Sequence, residues 1–75
     1  MFDPFEIERL IKVALPDASV EARDLTGGGD HFEVFVKSTQ FKNKSMLEQH
    51  RMIYKALGDA MSGPIHALKI NTETL

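Results

Sequence analysis

The sequence predicts an α+β domain in the order helix-strand-strand-helix-(short helix)-strand, with a three-stranded mixed sheet and the helices packed on one face. Three observations carry that prediction. Residues 4–15 place apolar side chains at helical spacing. Two runs of alternating apolar and polar residues, 18–24 and 31–38, flank three consecutive glycines. A second capped helical segment opens at Ser45, and a Gly63-Pro64 break then launches one more strand.

The first helix starts from Asp3 as N-cap, with Pro4 at the first helical position and Glu6 placed for a capping box. Phe2 and Ile7 stand where a hydrophobic staple would put them. Phe5, Ile7, Leu10, Ile11, Ala14 and Leu15 form the apolar stripe expected to face the core, and Pro16 ends the helix. In the first strand, Ala18 to Asp24, Val20 and Ala22 point inward while Glu21 and Arg23 point outward. In the second, His31 to Ser38, Phe32, Val34 and Val36 alternate with His31, Glu33, Phe35 and Lys37. The Gly27-Gly28-Gly29-Asp30 segment between them makes a β-hairpin, and its bland reading is a flexible loop. It is not a phosphate loop, because no Gly-Lys-Ser/Thr ending and no helix follow it.

Ser45 and Glu48 form a second capping box. Met46, Leu47, His50, Ile53, Tyr54 and Leu57 are expected on the inner face, with Gln49, Arg51 and Lys55 outside. Gly58 stops this helix and Asp59 to Ser62 adds one short turn. In the last strand Ile65, Ala67 and Lys69 fall on one face and His66, Leu68 and Ile70 on the other. Residues 71–75 read as a frayed tail of a single domain, 1–75. More than twenty residues separate the second and third strands, enough for a parallel, right-handed crossover.

Seventy-five residues bury a modest core, about 60–65% of the unfolded surface at this size. There is no cysteine, so any soft-metal chemistry needs sulfur from a partner. No apolar run approaches the roughly 20 residues of a membrane span. The acidic start, Met1 to Glu6, lacks the basic opening of a targeting peptide, which makes a cytoplasmic protein the expectation. The net charge is −2, but it is unevenly spread. Residues 1–36 carry eight acids against three bases, whereas residues 37–55 carry Lys37, Lys42, Lys44, Arg51 and Lys55 against Glu48 alone. That basic stretch fits phosphate or an acidic protein face, and it also fits ordinary solvated surface.

No serine or cysteine nucleophile motif and no clear acid–base pair are visible, so a non-enzymatic role is expected. The chemistry that remains rests on His31, His50 and His66. A lone histidine in a strand is commonly a hydrogen-bonded structural residue; it is also the commonest metal ligand. Parallel pairing of the second and third strands would bring His66 and the glycine loop to one side of the molecule. Two nitrogen ligands do not close a structural zinc site, but they supply half of a site completed by another molecule.

Taken together, several segments resemble the BolA family in order and spacing. They are Asp24-Leu25-Thr26-Gly27-Gly28-Gly29-Asp30-His31-Phe32, Phe41-Lys42-Asn43-Lys44-Ser45, Gln49 to Leu57 and Ile65-His66-Ala67-Leu68. The likeness is to short bacterial BolA-like proteins and spans nearly all of residues 5–72. It implies a KH-like (class II) fold. It further implies partnership with a monothiol glutaredoxin and its glutathione around a shared, bridging [2Fe-2S] cluster, in iron–sulfur cluster trafficking, maturation or iron regulation. No cofactor is expected in the isolated chain. By the same resemblance His66 is the main ligand, and the second comes from the loop between the first two strands. Many relatives have a cysteine there; Gly28 holds that position here, leaving His31 as the candidate, with Asp30 behind it. Relatives often have glycine at the position of Asn43. An alternative reading is a nucleic-acid-binding transcriptional regulator using Lys42, Lys44, Arg51 and Lys55, although the GXXG loop of KH domains is missing. A homodimer stays open, and no membrane partner is expected.

Overall fold

In a computed structural model describing residues 2–75, the chain forms α1 (Pro4–Ala14), β1 (Ser19–Asp24), β2 (His31–Ser38), a 3-10 turn (Thr39–Phe41), α2 (Met46–Leu57), a second 3-10 turn (Gly58–Ser62) and β3 (Ala67–Thr74). The sheet order is β1-β2-β3, antiparallel between β1 and β2 and parallel between β2 and β3. This is the mixed three-stranded sheet that the crossover length predicted. No described helix is long and apolar enough to cross a membrane.

The core lies between the sheet and the helices. Ile7, Ile11 and Leu15 from the first helical segment meet Phe32, Val34 and Val36 of β2, with Phe41, Ile53, Leu57, Ala60 and Ile65 closing the cluster. Each fully buried aliphatic or aromatic side chain contributes about 1.5–3 kcal/mol. Phe2 fills a place that the helical stripe assigned to Phe5: its ring packs edge-to-face on Phe32 at 6.4 Å, while Phe5 is 76% exposed. Asp3 caps α1 by accepting from the Phe5 N–H at 2.8 Å. Glu6 turns to Arg9 instead of completing a box. At Ser45 the full capping box is present.

Two other expectations need correction. Met46, Leu47 and Tyr54 are exposed, and the inner side of α2 is built from Gln49, Met52, Ile53, Ala56 and Leu57. Residues 71–75 are not a frayed tail. Asn71 to Thr74 pair with Phe35 to Ser38 of β2, and the Leu75 N–H donates to the Ser38 carbonyl at 3.3 Å. Sequence polarity suggested a loose end, but β2 offers a full-length template and the polar side chains of β3 find partners on it.

Candidate functional site: a histidine pair beside the glycine loop

The loop between β1 and β2 is stapled by one carboxylate. Asp24 accepts from the amides of Thr26 at 3.2 Å, Gly27 at 2.9 Å and Gly29 at 2.8 Å. The Gly28 amide donates to the Thr26 hydroxyl at 3.1 Å. Every backbone N–H from Thr26 to Gly29 thus has a side-chain acceptor, so the segment is a built turn where a flexible loop was expected. Gly27 and Gly29 adopt φ of 78° and 73°, the left-handed region that favours glycine. Gly28 does not. A Cβ there would meet only side-chain ends, Asp30 Oδ1 at 3.2 Å and Thr26 Oγ1 at 3.3 Å. The Gly29 carbonyl takes the Phe2 N–H at 2.9 Å, which anchors the N-terminal segment on the loop.

The last loop residue also fixes the start of β3. The Asp30 carbonyl accepts from both His66 N–H at 2.8 Å and Ala67 N–H at 3.2 Å. Successive amides of a strand point to opposite sides, so two donating to one oxygen require a bend. That bend changes the expected alternation. Ile65 is buried, His66 is exposed outside the strand, and β3 begins at Ala67. His66 therefore does not share the inner face of Leu68 and Ile70.

Parallel pairing sets His31 opposite Ala67, one residue from His66. The two imidazoles stack with ring centroids 5.0 Å apart and planes inclined by 25°. The structure thus brings together His31 and His66, with Asp30 alongside: its Oδ2 lies 3.9 Å from His31 Nε2, too far for a hydrogen bond. His50 stays half-buried on α2. Among the described residues no group of three or more histidine, aspartate or glutamate side chains is placed to hold a metal.

The spacing of the pair suits joint ligation. Two imidazoles that both reached one metal at about 2.0–2.1 Å would have ring centroids roughly 5 Å apart. The ring planes do not yet suit it. A bound metal lies in the plane of its imidazole, and planes this nearly parallel converge well beyond the reach of such a bond. One ring has to turn about its side-chain bonds. Both side chains are solvent-accessible, so the turn displaces no core packing. The two rings alone would supply at most two ligands, and both are open to solvent.

The basic stretch is a separate surface. Lys42 and Lys44 follow the first 3-10 turn, and Arg51 and Lys55 lie on α2; all four are exposed. None forms an ion pair with a carboxylate among the described residues. Asn43 between the two lysines has φ of 64°, a conformation that asparagine tolerates and glycine favours. Exposed Met46, Leu47 and Tyr54 add an apolar component that the expected helix phase had hidden in the core. Glu48, beside these cations, is held below its ordinary value, first by hydrogen bonds from Ser45 and then by Lys44 and Arg51.

The family model described as BolA-like protein matches residues 7–75. The chain belongs to the BolA-like family. Among its relatives is mouse BolA-like protein 1, 35% identical over 75 residues, an alignment covering 91% of this chain and 55% of the mouse protein. The chain thus spans about half the length of that relative. The Escherichia coli protein named DNA-binding transcriptional regulator BolA is 39% identical over 49 residues, covering 65% of this chain and 47% of its own. Among solved structures, a BolA homologue from Coxiella burnetii superposes with a TM-score of 0.85 at 35% identity, over 99% of this chain and 92% of that one. In this BolA-like chain the glycine loop and the Ile65-His66-Ala67-Leu68 segment meet at one end of the sheet.

Proposed function

We propose that this BolA-like chain is a non-enzymatic adaptor that pairs with a monothiol glutaredoxin and co-ligates a bridging [2Fe-2S] cluster, in iron–sulfur cluster trafficking, maturation or iron regulation. The observation that carries the reading is the His31–His66 pair, 5.0 Å between centroids, at the mouth of the glycine loop. Histidines can replace two thiolates on one iron of such a cluster and raise its potential. A chain without cysteine can then contribute two nitrogens while the partner and its glutathione contribute the sulfur. In this reading His66 is the main ligand and His31 the second. The bend at Asp30 holds both backbones in place and leaves the rings free to turn.

The test is reconstitution of the cluster with a monothiol glutaredoxin and glutathione, comparing wild type with His66→Ala and His31→Ala. Each substitution is expected to change the visible spectrum and shorten the cluster lifetime. An unchanged spectrum and lifetime in His66→Ala would sink the assignment. The same result in His31→Ala alone would remove only the second ligand.

A second reading, nucleic-acid binding, is favoured by the unpaired cations on α2 and the preceding turn, and by the name of the E. coli relative. Two phosphate contacts from Lys42 and Lys44 would contribute about −1.8 to the slope of log affinity against log salt. Lys42→Ala/Lys44→Ala should therefore flatten the salt dependence by that amount. A wild-type chain that fails to retard duplex DNA at low salt defeats this reading.

A further inference from the structure

The sheet has two edges, and they are finished differently. At the β1 edge the outward Ala22 N–H is already taken, donating to Glu8 Oε2 of α1 at 3.0 Å. Among the described residues no strand lies beyond β3, where the sheet order stops. The orientation of its amides follows from its two ends. Ala67 N–H donates to Asp30 O and Leu75 N–H donates to Ser38 O, both on the β2 side. Backbone groups alternate sides along a strand, so the odd-numbered residues serve β2. The N–H and C=O groups of Leu68, Ile70, Thr72 and Thr74 then face the open edge. Among the described residues these amides have no hydrogen-bond partner.

We propose that this edge is a self-association surface, on which β3 of a second copy pairs antiparallel about a dyad at Asn71. Two separate considerations select that register. It joins Leu68 to the partner copy's Thr74 and Ile70 to its Thr72, and the reverse, so every edge-facing amide of both copies is used. Displacing the dyad by a residue in either direction along the strand leaves edge groups at one end unpaired. The outward side chains then fall into complementary places. Lys69, 3.7 Å from Glu33 of its own chain, sits opposite Glu73 of the second copy, which lies 3.2 Å from its own Lys37, so the four charges alternate in one row; Asn71 falls opposite Asn71, and exposed Ala67 opposite exposed Leu75. These are the non-hydrogen-bonded positions, where side chains approach most closely. The pairing is isologous and closes, so it gives a dimer with a continuous six-stranded sheet and no filament.

This arrangement sets the two histidine pairs apart. His66 lies five residues from the dyad in each copy, which separates the two by roughly 33 Å along the strands. Self-association therefore leaves each pair free for its own partner, and the proposal stands or falls independently of the cluster reading.

The experiment is sedimentation velocity of the full chain across micromolar to millimolar concentration, with circular dichroism as a check on folding. Lys69→Glu places two carboxylates opposite each other on each side of the dyad, and Glu73→Lys places two ammonium groups there. Replacing attractive cross-strand pairs by repulsive ones is expected to weaken the dimer about tenfold or more. Mixing the two variants restores opposite charges at every pair, so the mixture should associate where neither variant does alone. A wild type that stays monomeric at millimolar concentration overturns the proposal. So does a dimer indifferent to both single substitutions, or a mixture that fails to associate.

Discussion

The carboxylate of Asp24 decides whether the glycine loop holds its shape, and Asp24→Ala tests this most directly. The substitution removes the acceptor for three amides. The Thr26 and Gly27 amides are exposed and turn to water at little cost. The Gly29 amide is partly buried, and a buried donor left without a partner costs about 1–3 kcal/mol. With small losses at the exposed amides, the total is about 2–3 kcal/mol. A chain of this length has a total stability of roughly 4–11 kcal/mol, so the variant still folds. At about 4–8 °C per kcal/mol for a domain this size, the thermal midpoint should fall by roughly 10–20 °C. Asp24→Asn keeps one acceptor oxygen and should lose about half as much. The assay is thermal and urea unfolding, with the imidazole proton resonances of His31 and His66 recorded in parallel. Because Asp30 follows the loop and its carbonyl seats His66, both rings should shift in Asp24→Ala. An unchanged midpoint with unmoved imidazole resonances would refute the claim that this carboxylate organises the site.

Two further expectations can be checked on the same material. Asp17 accepts from the Thr39 hydroxyl and amide and from the Ser38 hydroxyl, which together hold its carboxyl below the ordinary value of 3.8. A depressed folded value means the stabilisation is complete above about pH 4 and disappears as pH falls through the folded value. Asp17→Asn should therefore be less stable than wild type at neutral pH, and the gap should close below pH 4 in an acid titration of stability; a constant gap would show that the ionised form is not what matters. Gly28→Cys should fit with a stability change within about 0.5 kcal/mol, because only side-chain ends need to give way, whereas Gly27→Cys and Gly29→Cys force a residue with a Cβ into the left-handed region at about 1–2 kcal/mol. If position 28 also reaches the proposed cluster, the reconstituted Gly28→Cys complex should show a lowered potential, and an unchanged potential would place the loop tip outside ligating range.

Much of the fold was legible because one signal sufficed for each element. The β2 alternation, Phe32-Val34-Val36 against Glu33-Phe35-Lys37, leaves no second way to place the strand. The capping box Ser45–Glu48 and the stop at Gly58 delimit α2 equally well. The phase of α2 was not legible, and the reason is a polar side chain. Gln49 points inward because its amide donates to the Phe41 and Lys44 carbonyls while its oxygen accepts from the Thr72 hydroxyl. That tie among the turn, α2 and β3 rotates the helix so that Met46, Leu47 and Tyr54 face solvent. A rule that sends apolar residues inward cannot see a glutamine needed there. The same blindness made Asn71-Thr72-Glu73-Thr74 look like a loose end. In the fold Asn71 donates to Glu33 and to the Val34 carbonyl, and Thr72 donates to Gln49.

The histidine pair shows how little separates a candidate site from two unrelated residues. His31 and His66 are thirty-five positions apart in sequence, and nothing about either alone distinguishes a ligand from a surface imidazole. Their meeting depends on two facts of topology. The crossover after β2 must return to the β2 edge, because a strand added beside β1 would leave His66 a full strand away from His31. The register must also set Ala67 opposite His31, since a shift of two residues would move the rings apart by about 7 Å. The Asp30 carbonyl enforces that register by holding the amides of both His66 and Ala67. The bend it imposes also takes His66 off the inner face of β3, where an imidazole in line with Leu68 and Ile70 would have faced the helices and not a partner. The backbone of the glycine loop thus decides whether the side chain at position 66 serves the core or faces outward, and it does so through a carbonyl that no sequence motif displays.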